Sequence, residues 1–265
     1  MTRSTLCAAF SLMLAASGAT AQPAAQPVVL PYDPFYDPMS FRTPQGQADG
    51  FDVAVAREIA ARMAIEVEFE PADFFDIQSE QWPDDWGFAV ASMSRDAERD
   101  RVFDFVGPYL FETVVVVAAA NAPAVAVADL QDIRIGICSG CVYKAYLEGN
   151  YQGGNSSGPP IPGAEPVYFT TDSDILRALT NAGADLQYGI TSAFHADYFI
   201  GLGSGIRKLD PPLYVSPLWI AVPKRRQALL QQLELAFQSI VADGTLSALS
   251  TTYLTSDYTT LPGTD

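Results

Sequence analysis

The sequence predicts an α/β fold in which strands alternate with helices along the chain. Short apolar strands are followed by helices with one apolar face, and this order occurs twice. The first helix shows the pattern best, because Phe51, Val55, Ile59 and Met63 recur every four residues and form one buried stripe. Strand–helix–strand units of this length form parallel sheets, which disfavours all-helical bundles, sandwiches and barrels.

Each predicted element rests on its own apolar pattern and on the turn residues beside it. Strands are predicted over residues 28–30, 65–69, 88–91, 111–119, 133–137, 167–169, 186–190 and 219–222. Helices are predicted over residues 51–63, 74–81, 142–147, 193–200, 230–240 and 246–253. A further helix begins at a cap formed by Thr171 or Asp172 and ends at Gly183. Residues 103–109 are predicted to form an aromatic-rich turn, and residues 149–163 a surface loop.

The first 21 residues have the pattern of a secretory signal peptide. Arg3 precedes an apolar run over residues 6–16, and Ala19-Thr20-Ala21 provides small residues for cleavage after Ala21. The run is too short to span a bilayer. The sequence therefore predicts an exported protein, and the length that remains suits two small domains.

The composition excludes some function classes. The 265-residue chain has a formal net charge of −16, and 49% of its residues are hydrophobic. The negative charge argues against nucleic-acid binding, which needs a basic face. The hydrophobic fraction is sufficient for a folded core.

Two cysteines, Cys138 and Cys141, remain after the signal peptide and flank Ser139-Gly140. In an oxidising compartment they are predicted to form a disulfide. Because the pair follows a strand and opens a helix, a thiol–disulfide oxidoreductase is an alternative. A metal site is disfavoured, since His195 is the only histidine and no second cysteine pair exists. No metal or cofactor is expected, and His195 is predicted to lie on the surface of a helix.

The segment from Ser92 to Arg99 is the strongest indication of a binding site. It places two hydroxyls, those of Ser92 and Ser94, and the Arg99 guanidinium within eight residues. Side chains two positions apart on a strand share one face, so both hydroxyls can point toward one ligand. A guanidinium binds carboxylates through a planar fork of donors, and a small carboxylate-bearing ligand is therefore predicted.

Five segments, in order, resemble the amino-acid-type periplasmic solute-binding proteins, which are the receptors of ABC importers. The matching segments are the aromatic loop over residues 35–41, Gly-Phe-Asp-Val over 50–53, the motif over 92–109, the segment over 129–140, and Asp-Gly-Thr-Leu over 243–246. They extend over the chain from about Val28 to Leu254.

The resemblance implies a two-lobe periplasmic-binding-protein fold of type II. Each lobe is expected to be a mixed sheet flanked by helices, with the ligand cleft between the lobes. Lobe one is expected over residues 22–110 plus 218–265, and lobe two over residues 111–217. The resemblance also implies hinge closure around the ligand, a membrane permease of an ABC importer as partner, a periplasmic location and a monomeric protein.

The same resemblance assigns roles to residues of lobe one. Arg99 is expected to hold the ligand carboxylate, with Ser92 and Ser94 offering hydroxyls and backbone N–H groups. Tyr36 is expected to stack on the ligand and Asp33 to meet an ammonium. Phe74, or Phe75 in its place, is expected to wall the site.

On lobe two, Val142 and Thr191 occupy binding positions of the family, but two neighbouring positions depart from its pattern. Cys141-Val142 stands where Thr-Thr is usual. Ile190 stands where an aspartate commonly holds the α-ammonium of the ligand. Because Ile190 cannot pair with a cation, the sequence predicts a ligand without a free amine, or one whose amine is bound by Asp33.

Two further alternatives share the fold that the resemblance implies. One is a periplasmic enzyme of the cyclohexadienyl dehydratase type, in which Asp33 or Glu112 would be the general acid. The other is a sensor module that works without an importer. The sequence contains no Ser/His/Asp set and no phosphate-binding glycine loop, so a binding protein rather than an enzyme is expected.

Overall fold

The computed structural model describes residues 26–153, 155–156, 160–181, 185–254 and 256–261. Within these residues the strands are β1 (Val28–Tyr32), β2 (Phe35–Tyr36), β3 (Ser40–Arg42), β4 (Ala48–Asp49), β5 (Val67–Pro71), β6 (Ala89–Ser94), β7 (Phe103–Ala118), β8 (Arg134–Cys138), β9 (Asn155–Ser156), β10 (Glu165–Phe169), β11 (Tyr188–Ser192) and β12 (Arg207–Pro223). The helices are α1 (Phe51–Arg62), α2 (Phe74–Ile77), α3 (Arg99–Val102), α4 (Tyr143–Leu147), α5 (Asp172–Thr180), α6 (Ala193–Gly201), α7 (Gln227–Ala242) and α8 (Thr245–Leu254). The predicted signal peptide and the predicted helix end at Gly183 lie outside the described residues.

Two long antiparallel strands, β7 and β12, run through both halves of the molecule. Their ladder extends from Phe103 paired with Pro223 to Ala118 paired with Arg207, with two register shifts. At one end β6 pairs with β12, and at the other end β11 pairs with β7. Beyond β11, strands β8 and β10 continue the sheet in parallel. The strand order is therefore β10-β8-β11-β7-β12-β6.

The predicted parallel strand–helix–strand units are present in both halves. β1 and β5 flank α1 and pair in parallel from Val28 with Val67 to Tyr32 with Pro71. In the other half, β8 pairs in parallel with both β10 and β11. Among the described residues, no helix has the length and apolarity required to cross a bilayer.

The hydrophobic core consists of separate clusters in the two halves. One cluster joins α1 to α7 through residues such as Ile59 and Leu233. Another joins β7, β8 and β11 to α5 through residues such as Ile175. Strand β7 contributes Leu110 to the first cluster and Val114 to the second. The lobe boundaries after residues 110 and 217 remain predictions.

Some predicted elements differ from the structure. The strand predicted over residues 219–222 is only the last part of β12, which begins at Arg207. The turn predicted over residues 103–109 is wrong, because this segment is the first part of β7 and pairs with β12. Gly107 and Pro108 suggested a turn, but the ladder passes them at a register shift, where no inter-strand N–H is required. The helix predicted over residues 74–81 ends at Ile77, whose carbonyl accepts a hydrogen bond of 2.7 Å from the Trp82 indole.

Gly50 fixes the start of α1 against the loop before β3. Its φ of +115° lies in a region that favours glycine. An added Cβ would overlap the backbone carbonyl of Met39. That carbonyl accepts the N–H of Asp52 at 2.8 Å, so it is held in place by the first turn of the helix.

We expect Gly50→Ala to destabilise the protein by about 3 kcal/mol or more, because backbone strain and overlap with fixed backbone add together. The matched control is Gly46→Ala. Gly46 has a φ of +82°, but a Cβ there would meet only the Arg42 side chain, at 3.8 Å. The control should lose about 1 kcal/mol. Urea unfolding of both variants measures the difference, and equal losses would contradict the proposed overlap.

Candidate ligand-binding site

A cavity opens where the end of β6, the start of α3 and the middle of β7 meet the turn before α4 and the start of α5. The residues that line it are Asp33, Tyr36, Ser40, Phe74, Ala91, Ser92, Ser94, Arg99, Glu112, Cys138, Ser139, Cys141, Val142, Tyr143, Thr170, Thr171 and Asp172. Residues from both halves of the molecule therefore share one space.

Arg99, the first residue of α3, is 4% exposed, and all of its guanidinium N–H groups have acceptors. Nη1 donates to the carbonyl of Ser94 at 2.7 Å and to its hydroxyl at 2.9 Å. Nη2 donates to Gln78 Oε1 at 2.7 Å and to the carbonyl of Gly140 at 2.9 Å. Nε donates to Gln78 Oε1 at 3.3 Å. These acceptors are neutral, and an ionised carboxylate makes stronger bonds, so a ligand carboxylate can replace Gln78 or Gly140.

Ser92 and Ser94 both line the cavity, but their hydroxyls make different bonds. Ser94 accepts from Arg99. Ser92 has a φ of +48°, and its hydroxyl donates to Asp52 Oδ2 at 2.8 Å. Tyr109 donates to the other carboxyl oxygen of Asp52 at 2.7 Å. Burial raises the pKa of Asp52 to about 7, although these hydrogen bonds oppose the shift.

Three further side chains from the first part of the chain line the cavity. The ring centroid of Phe74 lies 5.6 Å from the Arg99 guanidinium carbon, a cation–π contact. The Tyr36 hydroxyl lies 3.2 Å from Ser192 Oγ. Asp33 accepts the N–H of Phe35 at 2.9 Å, and burial raises the pKa of Asp33 to about 6.

Two buried carboxyls, those of Glu112 and Asp172, share a tyrosine. The Tyr143 hydroxyl lies 3.4 Å from Glu112 Oε1 and 3.4 Å from Asp172 Oδ2. Burial and the nearby Asp172 charge raise the pKa of Glu112 to about 8. Burial also raises the pKa of Asp172 to about 7. Each carboxyl opposes ionisation of the other, and a positive charge between them would favour the ionised form of both.

The sequence model of the bacterial extracellular solute-binding proteins, family 3, matches residues 28–256. The chain belongs to this family. ABC transporter arginine-binding protein 1 of Escherichia coli (strain K12) is 25% identical over 218 residues, which are 81% of this chain and 85% of that protein. The histidine-binding periplasmic protein of Salmonella typhimurium (strain LT2) is 26% identical over 266 residues, with 95% and 97% of the two chains covered.

The fold of this solute-binding protein has solved counterparts. An ancestral arginine-binding protein bound to arginine superposes with a TM-score of 0.73 at 20% identity, covering 85% of this chain and 97% of that chain. The prediction of a two-lobe type II periplasmic-binding-protein fold is confirmed.

All but one of the predicted binding residues of this solute-binding protein line the cavity; these are Asp33, Tyr36, Phe74, Ser92, Ser94, Arg99 and Val142. Thr191 is fully buried and is not among the lining residues. Its hydroxyl lies beside Asp172 without hydrogen-bond geometry and holds the pKa of that carboxyl down. The contacts of these residues with a ligand remain predictions.

The sequence did not indicate the carboxyl that the predicted lobe two contributes to the cavity. Ile190 lies inside β11 and packs in the core, so its side chain does not reach the cavity. Asp172, the first residue of α5, provides the carboxyl instead. The sequence indicated Asp172 only as a helix cap, and Thr171 fills that role by accepting the N–H of Asp174 at 3.1 Å. The signal available in the sequence was an acidic residue next to a threonine that already serves as the helix cap.

His195 is fully buried, so its predicted surface position is also wrong. Its Nδ1 pairs with the carbonyl of Asp37, and its ring lies 4.8 Å from that of Tyr36. Burial lowers the pKa of His195 to about 4. The histidine is therefore neutral and holds α6 against the loop that carries Tyr36.

The turn before α4 is closed by a disulfide between Cys138 and Cys141, with 5.5 Å between their Cα atoms. This bears out the predicted pairing. The turn includes Gly140, whose carbonyl accepts from Arg99. The disulfide therefore restrains one of the acceptors of the buried guanidinium.

Replacing Glu112 with Gln should change how stability depends on pH. The folded-state pKa of Glu112 is raised from 4.5 to about 8, so its neutral form stabilises the fold below pH 4.5, and this contribution is lost as pH rises through 8. At pH 8 the free energy of unfolding of the variant should exceed that of the parent by an amount on the order of 3 kcal/mol, with little difference at pH 5. Thermal unfolding at the two pH values, without ligand, measures this.

The matched control is Glu148→Gln, because Glu148 lies exposed at the end of α4, where it pairs with Lys144. Its stability should follow the parent at both pH values. A Glu112→Gln variant that also followed the parent would show that Glu112 ionises normally.

Proposed function

We propose that this protein binds a small solute of the amino-acid class that carries both a carboxylate and a positively charged nitrogen. It would deliver this solute to the membrane permease of an ABC importer. The observation that carries the proposal is that one cavity contains a guanidinium and two carboxyls. The Arg99 guanidinium shares the space with the carboxyls of Glu112 and Asp172.

The carboxylate end of the ligand is assigned to Arg99. Ser94 holds Nη1 with two acceptors, which fixes the plane of the guanidinium. Nη2 and Nε point to Gln78, whose side chain can move away. A carboxylate in the place of the Gln78 amide oxygen would accept two parallel hydrogen bonds.

The cationic end is assigned to Glu112 and Asp172. Both carboxyls are buried, and their pKa values are raised by desolvation. An ammonium or guanidinium between them would offset this desolvation and release the protons that they hold near neutral pH. This proposal differs from both alternatives that the sequence left open, a ligand without a free amine and a ligand whose amine is bound by Asp33.

Closure around the ligand is supported by contacts across the predicted lobe boundary. Arg99 donates to Gly140 at 2.9 Å, and the Ser173 hydroxyl donates to the carbonyl of Phe35 at 2.8 Å. A ligand that touches both lobes favours the closed form by its additional contacts there. The division into residues 22–110 plus 218–265 and residues 111–217 is part of the proposal.

The cellular role is inferred from the relatives, which are named as a component of an ABC transporter and as a periplasmic protein. We infer a periplasmic location after removal of residues 1–21, a monomeric protein, and binding rather than catalysis. The ligands named in those relatives, arginine and histidine, both have a carboxylate and a nitrogen-containing side chain. They are the first probes to test.

Calorimetry with L-arginine, L-lysine and L-histidine should show binding of at least one of them at pH 7.5. Glutarate, which has carboxylates only, and agmatine, which has a guanidinium but no carboxylate, should bind at least about tenfold more weakly, since each lacks one charged partner. Equal affinity for glutarate would refute the cationic subsite.

Prephenate belongs in the same panel because Glu112 is a buried carboxyl held neutral at pH 7, as a general acid requires. We expect no product. Product formation that Glu112→Gln abolished would assign the dehydratase alternative instead.

Arg99→Gln should weaken the binding of the best amino acid by at least about 30-fold, because one partner of a buried charged pair is removed. The matched control is Arg101→Gln on the same helix, since the Arg101 side chain is 71% exposed. The control should bind as the parent does. Unchanged affinity in Arg99→Gln, with circular dichroism showing a folded protein, would remove Arg99 from the site.

A further inference from the structure

The cavity wall contains a second group of chemically reactive side chains. The sulfur atoms of Cys138 and Cys141 and a carboxylate oxygen of Asp172 all lie within 4.8 Å of one another. In the structure the two sulfurs are joined as a disulfide. All three residues line the cavity, so this group is open to small molecules that enter it.

Asp172 lacks a partner that its position requires. The residue is 5% exposed, and its Oδ1 has no hydrogen-bond partner among the described residues. Its other oxygen accepts from the Tyr143 hydroxyl at 3.4 Å, and the Thr191 hydroxyl lies beside the carboxyl without hydrogen-bond geometry. Leaving a buried carboxylate oxygen unsatisfied costs about 1–3 kcal/mol, so such an atom indicates an absent partner.

The donor set matches the preference of a borderline-soft divalent metal. Two thiolates separated by two residues and one carboxylate are ligand types and a spacing that Zn²⁺ uses. With bond lengths of about 2.3 Å to sulfur and 2.0–2.2 Å to oxygen, tetrahedral ligand atoms lie roughly 3.5–3.8 Å apart. The carboxylate oxygen lies within 4.8 Å of both sulfurs, and the two sulfurs, which are bonded to each other in this structure, separate toward this spacing when the disulfide is reduced.

We propose that the reduced protein binds Zn²⁺ through Cys138, Cys141 and Asp172, with the fourth position open to the cavity. Reduction breaks the sulfur–sulfur bond and requires two electrons and two protons. A dithiol reductant supplies them and becomes a disulfide itself. Zn²⁺ then displaces the two thiol protons, and water occupies the fourth position.

The metal and a cationic ligand would exclude each other. Both use Asp172, and a divalent ion in the wall would repel an ammonium or a guanidinium near Glu112. The oxidised protein would therefore bind the organic ligand and the reduced protein the metal. The proposal does not depend on the identity of the organic ligand, because the metal is tested by itself.

Titration of the reduced, oxygen-free protein with Co²⁺ as a spectroscopic substitute for Zn²⁺ tests the proposal. We expect one equivalent to give the sulfur-to-cobalt charge-transfer band and the visible bands of tetrahedral coordination, both removed by one equivalent of Zn²⁺. The protein with its disulfide intact should give neither. The double variant Cys138→Ser/Cys141→Ser should also give neither, and its circular dichroism checks that it folds.

The Asp172→Asn variant distinguishes a metal site of three residues from metal binding by the two cysteines alone. It should weaken Co²⁺ binding at least about tenfold, whereas Asp174→Asn, on the same helix but outside the cavity lining, should leave it unchanged. Absence of the charge-transfer band in the reduced parent would overturn the proposal. Equal affinity in Asp172→Asn would overturn the assignment of the carboxylate.

Discussion

The site depends on the burial of one guanidinium. A charge removed from water is stable only if its donors find acceptors, so Arg99 requires Ser94, Gln78 and Gly140 at fixed positions. These acceptors come from the end of β6, from the residue after α2, and from the disulfide-closed turn before α4. Arg99 therefore fixes three distant segments relative to one another. A ligand carboxylate that replaces Gln78 therefore changes the hydrogen bonding of the guanidinium that joins these segments.

The carboxyls around the cavity differ in the hydrogen bonds that they accept. This difference distinguishes the carboxyl that holds the structure from the carboxyls that are proposed to bind a ligand. Asp52 accepts short hydrogen bonds from Ser92 and Tyr109, at 2.8 and 2.7 Å, and these hold its position. Glu112 and Asp172 share one tyrosine hydroxyl at 3.4 Å, which can donate to only one of them at a time. The weakly satisfied pair is the part of the site that still requires a partner. Depending on the redox state, our proposals fill it with a ligand cation or with a metal ion.

The sequence predicted features that are local and missed those that are not. The four-residue apolar period predicted α1, and the eight residues from Ser92 to Arg99 predicted a guanidinium that shares one site with two serines, because neighbours in sequence decide both. The charge of lobe two was predicted from Ile190, but that side chain faces the core. The carboxyl comes from Asp172, on an element brought beside the cavity by sheet order. Likewise, Gly107-Pro108 indicated a turn, and only the distant partner strand β12 makes the segment a strand.

The two carboxyls on the cavity wall belong to one half of the proposed division, since Glu112 and Asp172 both lie within residues 111–217. Glu112 lies on β7 opposite Ser216 of β12. Burial and the nearby Asp172 charge raise the pKa of Glu112 to about 8, so two ionised carboxyls would repel each other in the empty cavity. A cation between them reverses the sign of this interaction. In our proposal, a ligand whose carboxylate is held by Arg99 and whose cation lies between Glu112 and Asp172 contacts both lobes, and these contacts favour the closed form around the ligand.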